Sequence, residues 1–151
     1  MRLKALFATL ALAACSPQAP SEPAPPAPPA APSPEAESQA LLDALTPVVA
    51  ADLGQPVSFT IDTVRVEDEW AWLVVQPQGA EGRAIDWART PYATQAAEGV
   101  LDGGGTTYAL LKRENGAWRV LEFVIGPTDV AYGDWPERHG APAGLMGLAA
   151  E

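Results

Sequence analysis

The stretch Tyr108-Ala109-Leu110-Leu111-Lys112-Arg113-Glu114-Asn115-Gly116-Ala117-Trp118-Arg119-Val120-Leu121-Glu122-Phe123-Val124-Ile125 decides the fold. Two runs rich in aliphatic and aromatic side chains flank Asn115-Gly116. Asparagine and glycine both accept positive φ, which a tight hairpin turn requires. The stretch therefore predicts an antiparallel hairpin with strands over residues 108–112 and 118–125.

The same device stands upstream. Val57, Phe59 and Ile61 alternate with polar residues, and Val64 and Val66 resume the alternation after a phase slip that predicts a bulge near Asp62 and Thr63. Glu67-Asp68-Glu69 forms a charged turn, and residues 70–76 return as the second strand of a first hairpin. Before it, Leu41, Leu42, Leu45, Val48, Val49 and Leu53 recur at helical spacing, which predicts an amphipathic helix over 39–53 that Pro47 kinks or restarts and Gly54 ends. Between the hairpins, residues 86–98 predict a second helix, starting at Asp86 or at Thr90-Pro91 and stopping at Gly99. Gly103-Gly104-Gly105 lacks the Lys and Ser/Thr of a phosphate-binding loop and precedes a strand, so a flexible turn is expected. Near the end, Asp134-Trp135-Pro136-Glu137 has the form of a capping box for a short helix closed by Gly140 and Pro142, and the small apolar tail from Ala143 is expected to fold back loosely.

A helix, a hairpin, a second helix and a second hairpin predict an α+β domain over residues 38–151 in which helices pack on an antiparallel sheet. This order resembles the topology of cystatin-like and NTF2-like domains, where a helix lies across a curved sheet. The resemblance carries no motif and therefore no function.

The residues before the domain have a different character. Met1 to Lys4 form a short basic start, and Ala5 to Ala14 an apolar run too short for a bilayer-spanning helix, which needs about 20 residues. The run ends Leu12-Ala13-Ala14-Cys15, which resembles the lipobox of bacterial lipoproteins. That resemblance implies a signal peptide over residues 1–14, acylation of Cys15, and an exported mature chain tethered by lipid to a bacterial membrane, on its periplasmic or its outer side, with Ser16 favouring the outer membrane. Several acyl chains on one residue anchor stably where a single chain does not. Cys15 is the only cysteine, so no disulfide can form within the chain. Residues 16–37 contain nine prolines and no large apolar side chain. Residues 15–37 therefore read as the lipidated cysteine and a Pro/Ala-rich spacer without a core of its own. An extended spacer of this length reaches roughly 70 Å at about 3.1 Å per residue.

The whole chain has a formal net charge of −10, which becomes −12 once Arg2 and Lys4 leave with the signal. Such a domain repels nucleic acid, so no nucleic-acid partner is expected. One histidine and no cysteine in the domain make a poor transition-metal set, so neither metal nor cofactor is expected. Its only serines, Ser38 and Ser58, sit on no nucleophile elbow.

Three functional readings follow. The first is a non-enzymatic protein-interaction domain held off a membrane and meeting an envelope protein or peptidoglycan. The second is a small-molecule or glycan-binding module with a pocket between helix and sheet, lined by Trp72, Trp87 and Tyr92. Trp70 and Trp72, two apart on one strand, would also suit a stacking platform for sugars. The third is a small enzyme in which Asp129 or Asp134 orients His139 as a general base. Against it, Asp129 and Asp134 stand where helix caps belong. Asp86 and Arg89 form a helix-surface pair or line a pocket.

Overall fold

The computed structural model describes residues 32–148; the expected signal peptide, Cys15 and the expected spacer up to residue 31, and residues 149–151, lie outside them. Helix α1 spans Pro34–Leu53, so it begins five residues earlier than its apolar periodicity predicts and absorbs the end of the expected spacer. The cause is a strong start signal. The Ser33 hydroxyl accepts the Ala36 N–H at 3.2 Å, Pro34 supplies a helical φ, and Glu35 and Glu37 offset the positive end of the dipole.

Pro47 neither breaks α1 nor restarts it. Its ring removes one backbone bond, and the adjacent Thr46 hydroxyl donates to the Leu42 carbonyl at 2.7 Å. Packing decides the matter. Leu41, Leu45, Val49 and Leu53 are fully buried along one stripe, and at about 1.5–3 kcal/mol each they outweigh the roughly 3 kcal/mol cost of an interior proline.

Strands β1 (Ser58–Glu67), β2 (Trp70–Gln78), β3 (Thr107–Glu114) and β4 (Ala117–Ile125) form one antiparallel sheet in the order β1-β2-β3-β4. The β1–β2 register shifts between Ile61 and Thr63, where the phase slip at Asp62 places a bulge. A second shift in β4 inserts Leu121 opposite the Leu110–Leu111 step, which the sequence does not signal. The β3–β4 turn has φ of 53° at Asn115 and 82° at Gly116, as a tight hairpin requires.

The connection between the hairpins departs from expectation. Instead of one helix over 86–98 it forms a single 3-10 turn, Trp87–Arg89, and then the short helix α2, Ala93–Glu98. Pro91 has no N–H to continue a helix, and the buried Thr90 seals the break, its hydroxyl donating to the Trp87 carbonyl at 2.8 Å and accepting the Tyr92 N–H at 3.1 Å. The glycine run also has a packing role. Gly105 has φ of 100°, and a Cβ there would lie 2.3 Å from the Trp87 ring.

The sheet is covered on both faces. Towards α1, Ala71, Leu73, Val75, Ala109, Leu111 and Ile125 meet the helix stripe, with Trp87, Tyr92 and Trp118 at the margin. Side chains of the helix stripe and of this sheet face pack directly against each other between α1 and the sheet centre. On the other face, Trp70, Trp72 and Leu110 lie under the C-terminal segment. There helix α3, Trp135–His139, buries Trp135, and Ala141, Leu145 and Met146 follow it into the same cluster. The tail is therefore packed through Met146. Arg65 fixes it by donating to the Leu145 carbonyl at 3.1 Å.

Candidate functional site

An open, mainly apolar feature arises where α1 leaves one margin of the sheet uncovered. Strand β1 is an edge strand, and the sides of its residues alternate about the bulge, so Ile61 and Val66 face the α1 side together with Phe59 and Val64. Phe59 and Val64 reach the core, whereas Ile61 and Val66 remain 37% and 43% exposed. Between this strand and the helix runs a groove of about 400 Å³ lined by Pro34, Glu35, Ser38, Gln39, Leu42 and Ile61. Leu42 belongs to the helix stripe but is only partly buried, because the sheet ends beneath it. The early start of α1 supplies three of the six lining residues, Pro34, Glu35 and Ser38.

The groove is acidic at its rim. Glu35 lines it, and Gln39 donates to Asp43 at 2.7 Å, holding that carboxylate beside it. No lysine or arginine occurs in α1. Arg65, the single basic residue of β1, is engaged with Leu145 on the opposite face.

The aromatic candidates do not converge. Trp72 is 2% exposed and packs against Tyr108, Tyr132 and Trp135, with ring centroids 5.9, 4.8 and 6.0 Å away. Trp87 and Tyr92 meet edge to face at 6.3 Å on the α1 side. The sheet separates them from Trp72, so the three line no common pocket. Trp70 and Trp72 do share one side of β2, but the C-terminal segment covers both, so they present no open stacking platform. The Tyr92 hydroxyl donates to Asp52 at 2.8 Å, and burial first, then this carboxylate, raises the phenol well above its ordinary pKa. It serves as a neutral donor that ties α2 to α1.

The arrangement of Asp129, Asp134 and His139 also differs from the catalytic expectation. His139 Nε2 lies 2.7 Å from Glu122 Oε2, so its carboxylate partner comes from β4. Arg138 donates to the other Glu122 oxygen at 2.6 Å and pairs with Asp134 at 2.9 Å. Burial raises the Glu122 pKa, but the hydrogen bonds from His139 and Arg138 outweigh it and leave the carboxyl below its usual range. Asp134 makes no side-chain cap on α3, so the expected capping box is not formed; its carboxylate turns to Arg138 instead. The cluster pins α3 to β4. Glu122 was the residue missed, although a lone carboxylate within Val120-Leu121-Glu122-Phe123-Val124 is a visible irregularity.

Asp86 and Arg89 line a polar depression of about 240 Å³ with Gly54, Gln55 and Pro56, where Gln55 donates to the Asp86 carbonyl at 3.2 Å. Among the described residues no group of three or more His, Cys, Asp or Glu is placed to hold a metal ion, and no helix is long and apolar enough to cross a membrane. The lipidation candidate Cys15 lies outside the described residues. No protein-family model, curated protein or solved structure matches the chain.

Proposed function

We propose that this protein is an exported, lipid-anchored component of a bacterial envelope whose folded domain works by binding another envelope protein rather than by catalysis. The observation that carries the reading is the apolar groove between α1 and β1, bordered by exposed Ile61 beside an unpaired sheet edge. Exposed aliphatic surface next to free backbone groups is costly to leave in water and marks a contact surface. Anchor and spacer fit this role. Cys15 with its lipobox fixes the chain to a membrane, and the proline-rich spacer sets the distance at which the domain meets its partner.

The test is photo-crosslinking in living cells, with a photoreactive residue in place of Gln39 or Ile61 and, as a control, in place of exposed Glu98 on α2. Discrete adducts to one envelope protein are expected from the two groove positions and none from Glu98. Equal, diffuse labelling from all three positions would remove the interaction reading. In parallel, Cys15→Ser should abolish membrane fractionation, and unchanged fractionation would remove the anchor.

A further inference from the structure

The interaction reading leaves the nature of the partner open, and the chemistry of the groove narrows it. We propose that the groove receives an extended, basic polypeptide segment of the partner protein, which adds to the sheet as a fifth strand alongside β1. This inference rests on the interaction reading and deepens it.

Backbone geometry supplies the first argument. β1 is ten residues long and lies at the end of the sheet order, so one side of it has no neighbouring strand. Among the described residues, its backbone makes no hydrogen bond outside the β1–β2 ladder. An added strand would satisfy these donors and acceptors, and its alternate side chains would fall on the α1 side, where the groove is open. Leu42 and Ile61 offer an apolar seat for one such side chain, with exposed Val66 further along the same side of β1.

Charge supplies the second. Glu35 and Asp43 border the groove from α1, while Asp62 at the bulge, which accepts from Gln76 at 3.2 Å, and Glu67, paired with Trp70, stand on the opposite side of β1, and all four are exposed. The one cation of the two elements, Arg65, lies on that same opposite side and is engaged by the Leu145 carbonyl at 3.1 Å. A second copy of this chain would bring an identical acidic rim, and the like charges would oppose each other. Neutral strands are discouraged by the bulge and the carboxylates, which guard the edge against indiscriminate pairing. A strand alternating aliphatic and basic side chains meets both demands, placing aliphatic groups in the groove and cations opposite the carboxylates.

The experiment uses the full chain and two synthetic peptides of about ten residues, a length matched to a typical strand. One alternates valine and lysine and the other valine and glutamate. Amide hydrogen exchange is read residue by residue at concentrations up to the millimolar range. The expected result is slowed exchange at alternate amides of β1 with the lysine peptide and none with the glutamate peptide. Ile61→Glu should weaken the lysine peptide's effect by about tenfold or more, as removal of a central apolar contact does, while β2 and β3 amides keep their protection and show that the fold is intact. Equal protection by both peptides, protection that does not alternate along β1, or no protection at all overturns the proposal. Crosslinks from Ile61 in cells without alternate protection of β1 would mean that a partner binds here in another manner. Absence of both would mean that the groove is not the contact surface.

Discussion

At the scale of single residues, glycine positions separate turn chemistry from packing. Gly116 has φ of 82° with open space around its Cα, whereas Gly105 has φ of 100° and the Trp87 ring against it. Gly116→Ala should therefore cost about 1–2 kcal/mol from backbone strain alone, and Gly105→Ala should exceed it by about 1–3 kcal/mol from overpacking. Urea denaturation of the two variants checks the order; equal losses would mean that Trp87 moves aside freely. Glu122 carries a pH signature. Its folded pKa lies below the ordinary carboxylate value of 4.5, so the stability tied to its ionised form is complete above that value and is lost as pH falls through the folded one. Glu122→Gln removes this titration. The melting-temperature gap between wild type and variant should be widest near pH 6 and should narrow below about pH 4. A gap independent of pH over that interval would show that Glu122 acts through packing only.

At the scale of elements, α1 shows propensity yielding to tertiary contacts. Proline in a helix interior is a stop signal for an isolated peptide, but the leucine stripe on either side of Pro47 docks as one unit. Pro47 is itself exposed. Pro47→Ala should therefore stabilise the domain by about 1–3 kcal/mol, read as a higher urea midpoint. A lower midpoint would indicate that the proline shapes the curve by which α1 follows the sheet. The segment before β3 shows the opposite outcome, since Thr90 and Pro91 do interrupt the predicted helix. The two cases differ in what lies beneath. The stripe of α1 is fully buried on both sides of its proline, while α2 has no fully buried residue to hold it in line with the preceding turn.

At the scale of the whole molecule, the sheet is sandwiched between α1 and a C-terminal segment whose anchor is Trp135. Its removal in Trp135→Ala should cost about 3–5 kcal/mol. It should speed amide exchange over residues 135–148 and across Trp70 and Trp72 more than over α1, because the two clusters lie on opposite faces. Uniform acceleration would mean that the faces unfold as one unit. The same arrangement explains the filled interior. With Trp70, Trp72 and Trp135 consumed in one core and Trp87 and Trp118 packed at the margin of the other, all five tryptophans have structural partners. The strip beside β1 that α1 does not reach stays open.

Local periodicity determined most of the elements. The period-two runs, the Asn115-Gly116 turn and the phase slip at Asp62 established the hairpins and the α+β class, because each is encoded within a few neighbouring residues, and the run ending at Cys15 carries the proposed anchor in the same local way. The candidate site was less legible. His139 was visible as the only histidine, but its partner Glu122 lies 17 residues away across the chain. Trp72 and Trp87 were visible as large aromatics, but their separation by the sheet depends on which face each strand presents. The groove was the least visible, since Leu42 and Ile61 read as ordinary core residues. Only the tertiary structure decided that the sheet ends beneath them, because exposure depends on where a helix stops covering its neighbour.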